Sequence, residues 1–137
     1  MSLVLDSSAT LAWIYSDEIT KAISQVFDIV TSSNAWVPII WPLEVGNSLQ
    51  MADRRGRIKG NFRDSTLKDL ALINIKIDDE TNTHAWFTTR QLAQKFKLTL
   101  YDATYLELAQ RKALPLASLD KDLRAAAKAM HLTVLGI

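Results

Sequence analysis

The sequence predicts an α/β fold, a three-layer α/β/α sandwich around a mainly parallel central sheet. Three observations lead there. Residues 3–5 are apolar at every position, which suits a strand buried on both faces of a parallel sheet rather than one with a wet side. Segments with apolar residues three and four apart separate that run from similar short runs further on. Strand and helix signals alternate along the whole chain, the mark of crossover units. Crossovers of this kind are expected to be right-handed.

The elements follow in order. Asp6-Ser7-Ser8 ends the first run, and Ser7 or Ser8 is a suitable cap for a helix over 9–15. Ile19, Ile23, Val26, Phe27 and Val30 give helical spacing over 18–31. Residues 35–37 are a second strand, and Pro42 suits the start of a helix that reaches about Arg55 and closes at Gly56. A helix over 61–72 is expected to turn Leu67, Leu70 and Ala71 inward. Ile73, Ile75 and Ile77 alternate as a strand. Residues 83–96 read as a helix with Trp86, Leu92, Ala93 and Phe96 on its apolar side. Asp102 caps a helix with Ala103, Leu106 and Ala109 or Ala113 on its apolar side; 114–118 is a strand, 120–130 an alanine-rich helix, and 133–135 a last strand.

Composition narrows the function classes. Lys plus Arg number 16 and Asp plus Glu 15, a net charge of +1, which excludes a polybasic tail or an acidic solvating chain. Hydrophobic residues are 48% of 137, enough for a core. Without cysteine there are no disulfides, thiolate metal sites or cysteine nucleophiles, and His84 and His131 are too few for a multi-histidine metal site. Met1-Ser2-Leu3-Val4-Leu5-Asp6 has no basic leader pattern, and the longest apolar stretch, 35–43, holds two prolines. The expectation is one cytoplasmic domain over 1–137, away from membranes.

The chemistry lies in the placement of carboxylates. Asp6 follows the first strand directly, Asp120 follows the 114–118 strand, Asp102 opens a helix, and Glu44 sits in the first turn after the second strand. In a parallel sheet these positions share the carboxyl edge, where open α/β sheets bind ligands. Taken singly, each aspartate reads as a helix cap and Glu44 as a first-turn residue complementing the helix dipole. Taken together they repel: two unit charges 4 Å apart differ by about 4 kcal/mol at an effective dielectric near 20. Such a group must share protons or bind a cation. Hard oxygen donors without thiol or imidazole favour Mg²⁺ or Mn²⁺, ions that activate water and stabilise charge on phosphate.

Four stretches carry a family resemblance: Val4-Leu5-Asp6-Ser7-Ser8, Trp41-Pro42-Leu43-Glu44-Val45-Gly46-Asn47, Leu100-Tyr101-Asp102-Ala103-Thr104-Tyr105-Leu106-Glu107-Leu108-Ala109, and Leu116-Ala117-Ser118-Leu119-Asp120-Lys121-Asp122-Leu123. In this order the chain resembles the PIN-domain ribonucleases of the VapC branch of toxin–antitoxin toxins. The resemblance implies an endoribonuclease hydrolysing RNA with Mg²⁺ or Mn²⁺. It makes Asp6, Glu44, Asp102 and Asp120 the acidic quartet, with Asp6, Asp102 and Asp120 holding metal. Ser118 stands where the family has a supporting Thr or Ser. The implied partners are RNA, a cognate antitoxin and a second copy in a homodimer.

Other residues are weighed beside these. Asn47 lies one helical turn from Glu44 and is suited either to orient that carboxylate or to a loop hydrogen bond. Asp122 either widens the acidic pocket or pairs with a helix dipole. Ser8 either contacts water at the site or caps a helix. Arg54, Arg55, Arg57, Lys59 and Arg63 form a basic cluster suited to RNA phosphates or, equally, to a solvated helix end. Arg111 and Lys112 read as solvent-facing charges. Three alternatives remain: a PIN nuclease acting on DNA or in rRNA processing, a catalytically silent PIN binding module, and a receiver-like phospho-accepting domain. The last wants a lysine after a late strand, where only Gly136-Ile137 follow.

Overall fold

Leu3, Val4 and Leu5 point alternately to opposite sides of their strand, yet all three are fully buried. Both faces of the sheet are therefore covered, as the unbroken apolar run predicts. The computed structural model describes residues 1–137. Five strands, β1 (Ser2–Leu5), β2 (Asn34–Val37), β3 (Ile75–Ile77), β4 (Leu116–Ala117) and β5 (Val134–Leu135), form one sheet in the order β3-β2-β1-β4-β5. Every neighbouring pair is parallel.

The chain leaves β1 through β2 to β3 on one side, then returns across the sheet to β4 and β5 on the other. The order therefore reverses between β1 and β4. The crevice beyond the carboxyl ends of such a pair is the ligand position in open parallel sheets. Asp6 and Ser118 follow β1 and β4 at that place.

Eight helices surround the sheet: α1 (Ser7–Ile14), α2 (Lys21–Ser32), α3 (Trp41–Arg54), α4 (Gly60–Leu70), α5 (Thr81–His84), α6 (Arg90–Phe96), α7 (Leu100–Lys112) and α8 (Lys121–Ala129). Pro42 stands in the first turn of α3, and Gly56, at φ +74°, follows its end, as a residue free to adopt the left-handed region should. α7 is the central helix. Seven successive residues, Ala103 to Ala109, are buried, so the single apolar stripe read from its sequence is too narrow.

Four further expectations are corrected. The cap of α1 is Asp6, not Ser7 or Ser8. α7 is capped by Thr99, with Asp102 inside its first turn. Leu67 and Ala71 are exposed, beside a shallow apolar groove with Trp41, Val45 and Ile75, rather than turned into the core. Trp86 is 79% exposed although it shares helical spacing with the buried Leu92. The cause is a π-helical turn, Ala85–Thr89, between α5 and α6. One wide turn shifts the phase of everything before it, so the 3.6-residue period does not run through. No helix is long and apolar enough to cross a membrane.

Candidate metal centre

Asp6 is the best-held side chain of the predicted quartet. Its N–H donates to the carbonyl of Ala117, 3.1 Å, which ties the end of β1 to β4. Its Oδ1 accepts from the Ala9 N–H at 2.9 Å and from Ser8 Oγ at 2.7 Å, and its Oδ2 accepts from Ser118 Oγ at 2.5 Å. Both hydroxyls are themselves engaged from the β4–α8 loop: Ser8 Oγ accepts from the Leu119 N–H at 2.9 Å and Ser118 Oγ from the Asp120 N–H at 3.0 Å. Each serine thus relays a loop N–H to the carboxylate, and the orientation of Asp6 is locked to the loop that carries Asp120. Ser8 reaches Asp6 and the loop and caps no helix.

The other three carboxylates come from helix starts. Asp120 caps α8, its Oδ2 accepting from the Leu123 N–H at 2.8 Å. Asp102 lies in the first turn of α7, its N–H donating to Thr99 Oγ1 at 3.1 Å. Glu44 lies in the first turn of α3, and its Oε1 accepts from the Tyr105 hydroxyl at 2.5 Å. The capping reading of Asp6 and Asp120 and their convergence are compatible: one oxygen serves the helix while the charge stays at the sheet edge.

The electrostatics connect all four. Burial pushes the Asp6 carboxyl up to about 6, against the lowering effect of its Ser118, Ala9 and Ser8 hydrogen bonds and with help from the Asp120 charge. Burial raises Asp102 as well, reinforced by the charges of Asp120 and Asp122 and opposed by Thr99. Burial raises Glu44, opposed by Tyr105 and reinforced by Asp102. No lysine or arginine forms an ion pair with any of the four carboxylates. Four hard oxygen donors with mutually uncompensated charge fit a divalent cation of the Mg²⁺ or Mn²⁺ kind. Asp122 adds its charge to this field, whereas Asn47 stands exposed on α3.

A second acidic group lies after β3. Asp78, Asp79 and Glu80 are the one set of three whose oxygens all come within 4.8 Å of one another; the Asp6–Asp102–Asp120 set is more open, as repelling charges on separate segments tend to be. The tighter group already has its cation. Arg111 donates to both oxygens of Asp78, at 3.1 and 2.5 Å, lies 3.6 Å from Glu80, and donates to Glu107 at 2.9 Å. Asp78 and Glu107 are buried. Burial alone raises Asp78, but its bonds from Arg111 and the Glu80 N–H outweigh that and hold it below the usual carboxylate range. Arg111 is thus an ion-pair anchor, not the solvent-facing charge expected. Lys112 is likewise engaged, 3.8 Å over the Trp36 ring.

In the basic cluster, Arg57 pairs with Glu18 at 3.1 Å and stacks 3.8 Å over Tyr15, and Arg63 pairs with Asp53 at 2.7 Å and Asp64 at 2.9 Å. Arg54, Arg55 and Lys59 are exposed and carry the patch's free charge. Sequence reasoning gave no role to Tyr105, although it lies one helical turn beyond Asp102, a spacing that places side chains on one face.

Comparison with known proteins agrees with the fold. The family profile for the PIN domain matches residues 3–129. Among solved structures, the chain is similar to PAE2754 of Pyrobaculum aerophilum, with a TM-score of 0.69 and 22% identity over 92% of this chain and 84% of that one. It is similar to FitAcB of Neisseria gonorrhoeae, TM-score 0.67, with 15% identity over 98% and 96%. VapC20 of Mycobacterium tuberculosis, a sarcin–ricin-loop-cleaving toxin, superposes with a TM-score of 0.60 and 14% identity over 90% and 94%. These likenesses speak for the fold. No curated protein sequence matches the chain.

Proposed function

The chain belongs to the PIN-domain family, and from that premise we propose that it is a divalent-cation-dependent endoribonuclease, the toxin of a VapBC-type toxin–antitoxin pair. The observation that carries the reading is that Asp6, Glu44, Asp102 and Asp120, from four separate segments, are linked by like charge and have no ion pair to a basic side chain. A Mg²⁺ or Mn²⁺ ion, when bound, lowers the pKa of water and offsets the charge that builds on the phosphate.

The residues divide the remaining work. Asp6, Asp102 and Asp120 supply the ligand oxygens, and Ser118 with Ser8 holds Asp6 in one orientation. Glu44 would complete the negative pocket and position a second metal or the attacking water. Arg54, Arg55 and Lys59 offer phosphate contacts that position an RNA strand without reading its sequence. The chain needs no histidine or serine nucleophile, in keeping with its composition. RNA is the substrate class, a homodimer is the assembly, and a cognate antitoxin is the regulatory partner. The toxin reading rests on the similarity to VapC20.

The test is cleavage of a defined RNA and DNA panel with mapped ends. The purified protein is expected to cut RNA, to lose the activity in EDTA, and to regain it with Mg²⁺ or Mn²⁺. Asp120→Asn is expected to be inactive at every metal concentration tried. Cleavage that survives EDTA, or that Asp120→Asn retains in full, contradicts the assignment; cleavage of DNA alone moves the chain to the DNA-directed variant.

A further inference from the structure

Tyr105 is 1% exposed, in the middle of the buried stretch of α7, and its hydroxyl is aimed out of the core at the acidic edge. It donates to Glu44 Oε1 at 2.5 Å across to another helix. The Glu44 and Asp6 charges both disfavour loss of its proton. One buried group therefore ties Glu44, on α3, to α7 one turn beyond Asp102.

We propose that Tyr105 is a positioning residue for the acidic centre: its buried hydroxyl pins Glu44 by one oxygen and leaves Oε2 as the oxygen that faces the reaction. The proposal rests on the nuclease reading for its activity arm and on the geometry alone for its binding arm. The choice of a phenol has a physical reason. Glu44 is pushed by the Asp102 charge and, unheld, has three rotatable bonds over which to retreat. A lysine or arginine at this place would hold it too, but would cancel part of the negative field that a dication needs. A neutral donor fixes the carboxylate through a charge-assisted hydrogen bond and leaves the charge intact. Burial also keeps the tyrosine proton on, since the phenol titrates far above its ordinary range behind its burial and the Glu44 bond.

The experiment compares wild type, Tyr105→Phe, Glu44→Gln and the double variant. Phe keeps the ring in its buried slot and removes only the hydroxyl. In RNA-free protein, Mn²⁺ titrated by electron paramagnetic resonance is expected to bind Tyr105→Phe about tenfold more weakly, the weight of one hydrogen bond to a charged group. In cleavage assays kcat is expected to fall by about tenfold or more with KM for RNA unchanged. Tyr105→Phe placed in the Glu44→Gln background is expected to cost little more, because the two residues act as one unit. An undiminished Mn²⁺ affinity in Tyr105→Phe, or an equal further loss in the Glu44→Gln background, overturns the proposal. A wild type that binds Mn²⁺ but cuts no RNA counts against the nuclease reading and leaves the Mn²⁺ comparison to decide on Tyr105. Should Tyr105→Phe fold poorly, NMR of the wild type replaces it. A downfield, slowly exchanging tyrosine hydroxyl proton that vanishes in Glu44→Ala is then expected, and its absence from the wild type overturns the proposal.

Discussion

Asp6→Asn is expected to abolish cleavage and, in metal-free protein at pH 7.5, to raise the melting temperature. Both effects come from the same burial. The asparagine keeps the acceptor for Ala9 and Ser8 and turns its amide toward Ser118 Oγ, so the local fold survives. Removing the charge removes a metal ligand, with a loss of about two orders of magnitude or more in rate. The stability effect has a definite sign. In the fold Asp6 keeps its proton up to about pH 6, whereas the ordinary carboxyl releases it near 3.8. The folded state thus binds more protons between those values, and the stability Asp6 contributes is full below about pH 4 and lost as the pH rises through 6. A shift of this size corresponds to about 3 kcal/mol. Asparagine carries no such penalty, so the variant is expected to melt about 5–10 °C higher at pH 7.5 and level with the wild type at pH 4. Melting curves at the two pH values, with EDTA present, check it. Equal melting at pH 7.5 with full cleavage removes Asp6 from the centre.

The second large effect is structural. Arg111→Met is expected to cost about 3–5 kcal/mol, because it leaves two buried carboxylates without their counterion. Asp78 and Glu107 are 2% and 4% exposed, and Arg111 is bidentate to Asp78 at the end of the edge strand β3. Loss of the guanidinium frees the β3–α5 connection from α7. Because the pair holds the Asp78 pKa down, its contribution is present above the ordinary carboxylate range and fades as the pH falls through the lowered value. Urea titrations at neutral pH should show the deficit, and titrations in acid should show it shrinking as the freed carboxylates protonate. A deficit under about 1 kcal/mol at neutral pH would mean that the pair is balanced by its own desolvation.

Much of the architecture was legible because a parallel sheet imposes a local signature. The unbroken apolar run of β1 announced a strand covered on both faces. The position of Asp6 directly after it, and of Asp120 shortly after β4, located the edge where order reverses. What escaped was set by tertiary context. The π-helical turn at Ala85–Thr89 changes the phase of a helix without any proline or glycine to mark it, so Trp86 falls on the expected apolar side and is nevertheless exposed. Leu67 and Ala71 have the right spacing for a core that does not extend to them. The serine relays to Asp6 depend on a loop 112 residues away in sequence, which no local pattern encodes. Arg111 and Glu107, four residues apart on one helix, were readable as a pair; that Glu107 is buried, and that Asp78 joins it, was not. Tyr105 carries no signal of its own in the sequence, because its ring is core and only its hydroxyl reaches Glu44.

The centre stands or falls on where a dication binds. The two acidic groups make different offers: the quartet at the β1–β4 crevice is more open and has no ion-pair partner, and the Asp78–Glu80 group is tighter but already holds the Arg111 guanidinium against Asp78 and Glu80. A crystal of the protein grown with Mn²⁺, with anomalous difference maps calculated, distinguishes them in one measurement. The account predicts density among Asp6, Asp102 and Asp120, absent from Asp6→Asn crystals grown in the same way. Density at Asp78–Glu80 alone, or none at the crevice at millimolar Mn²⁺, contradicts it.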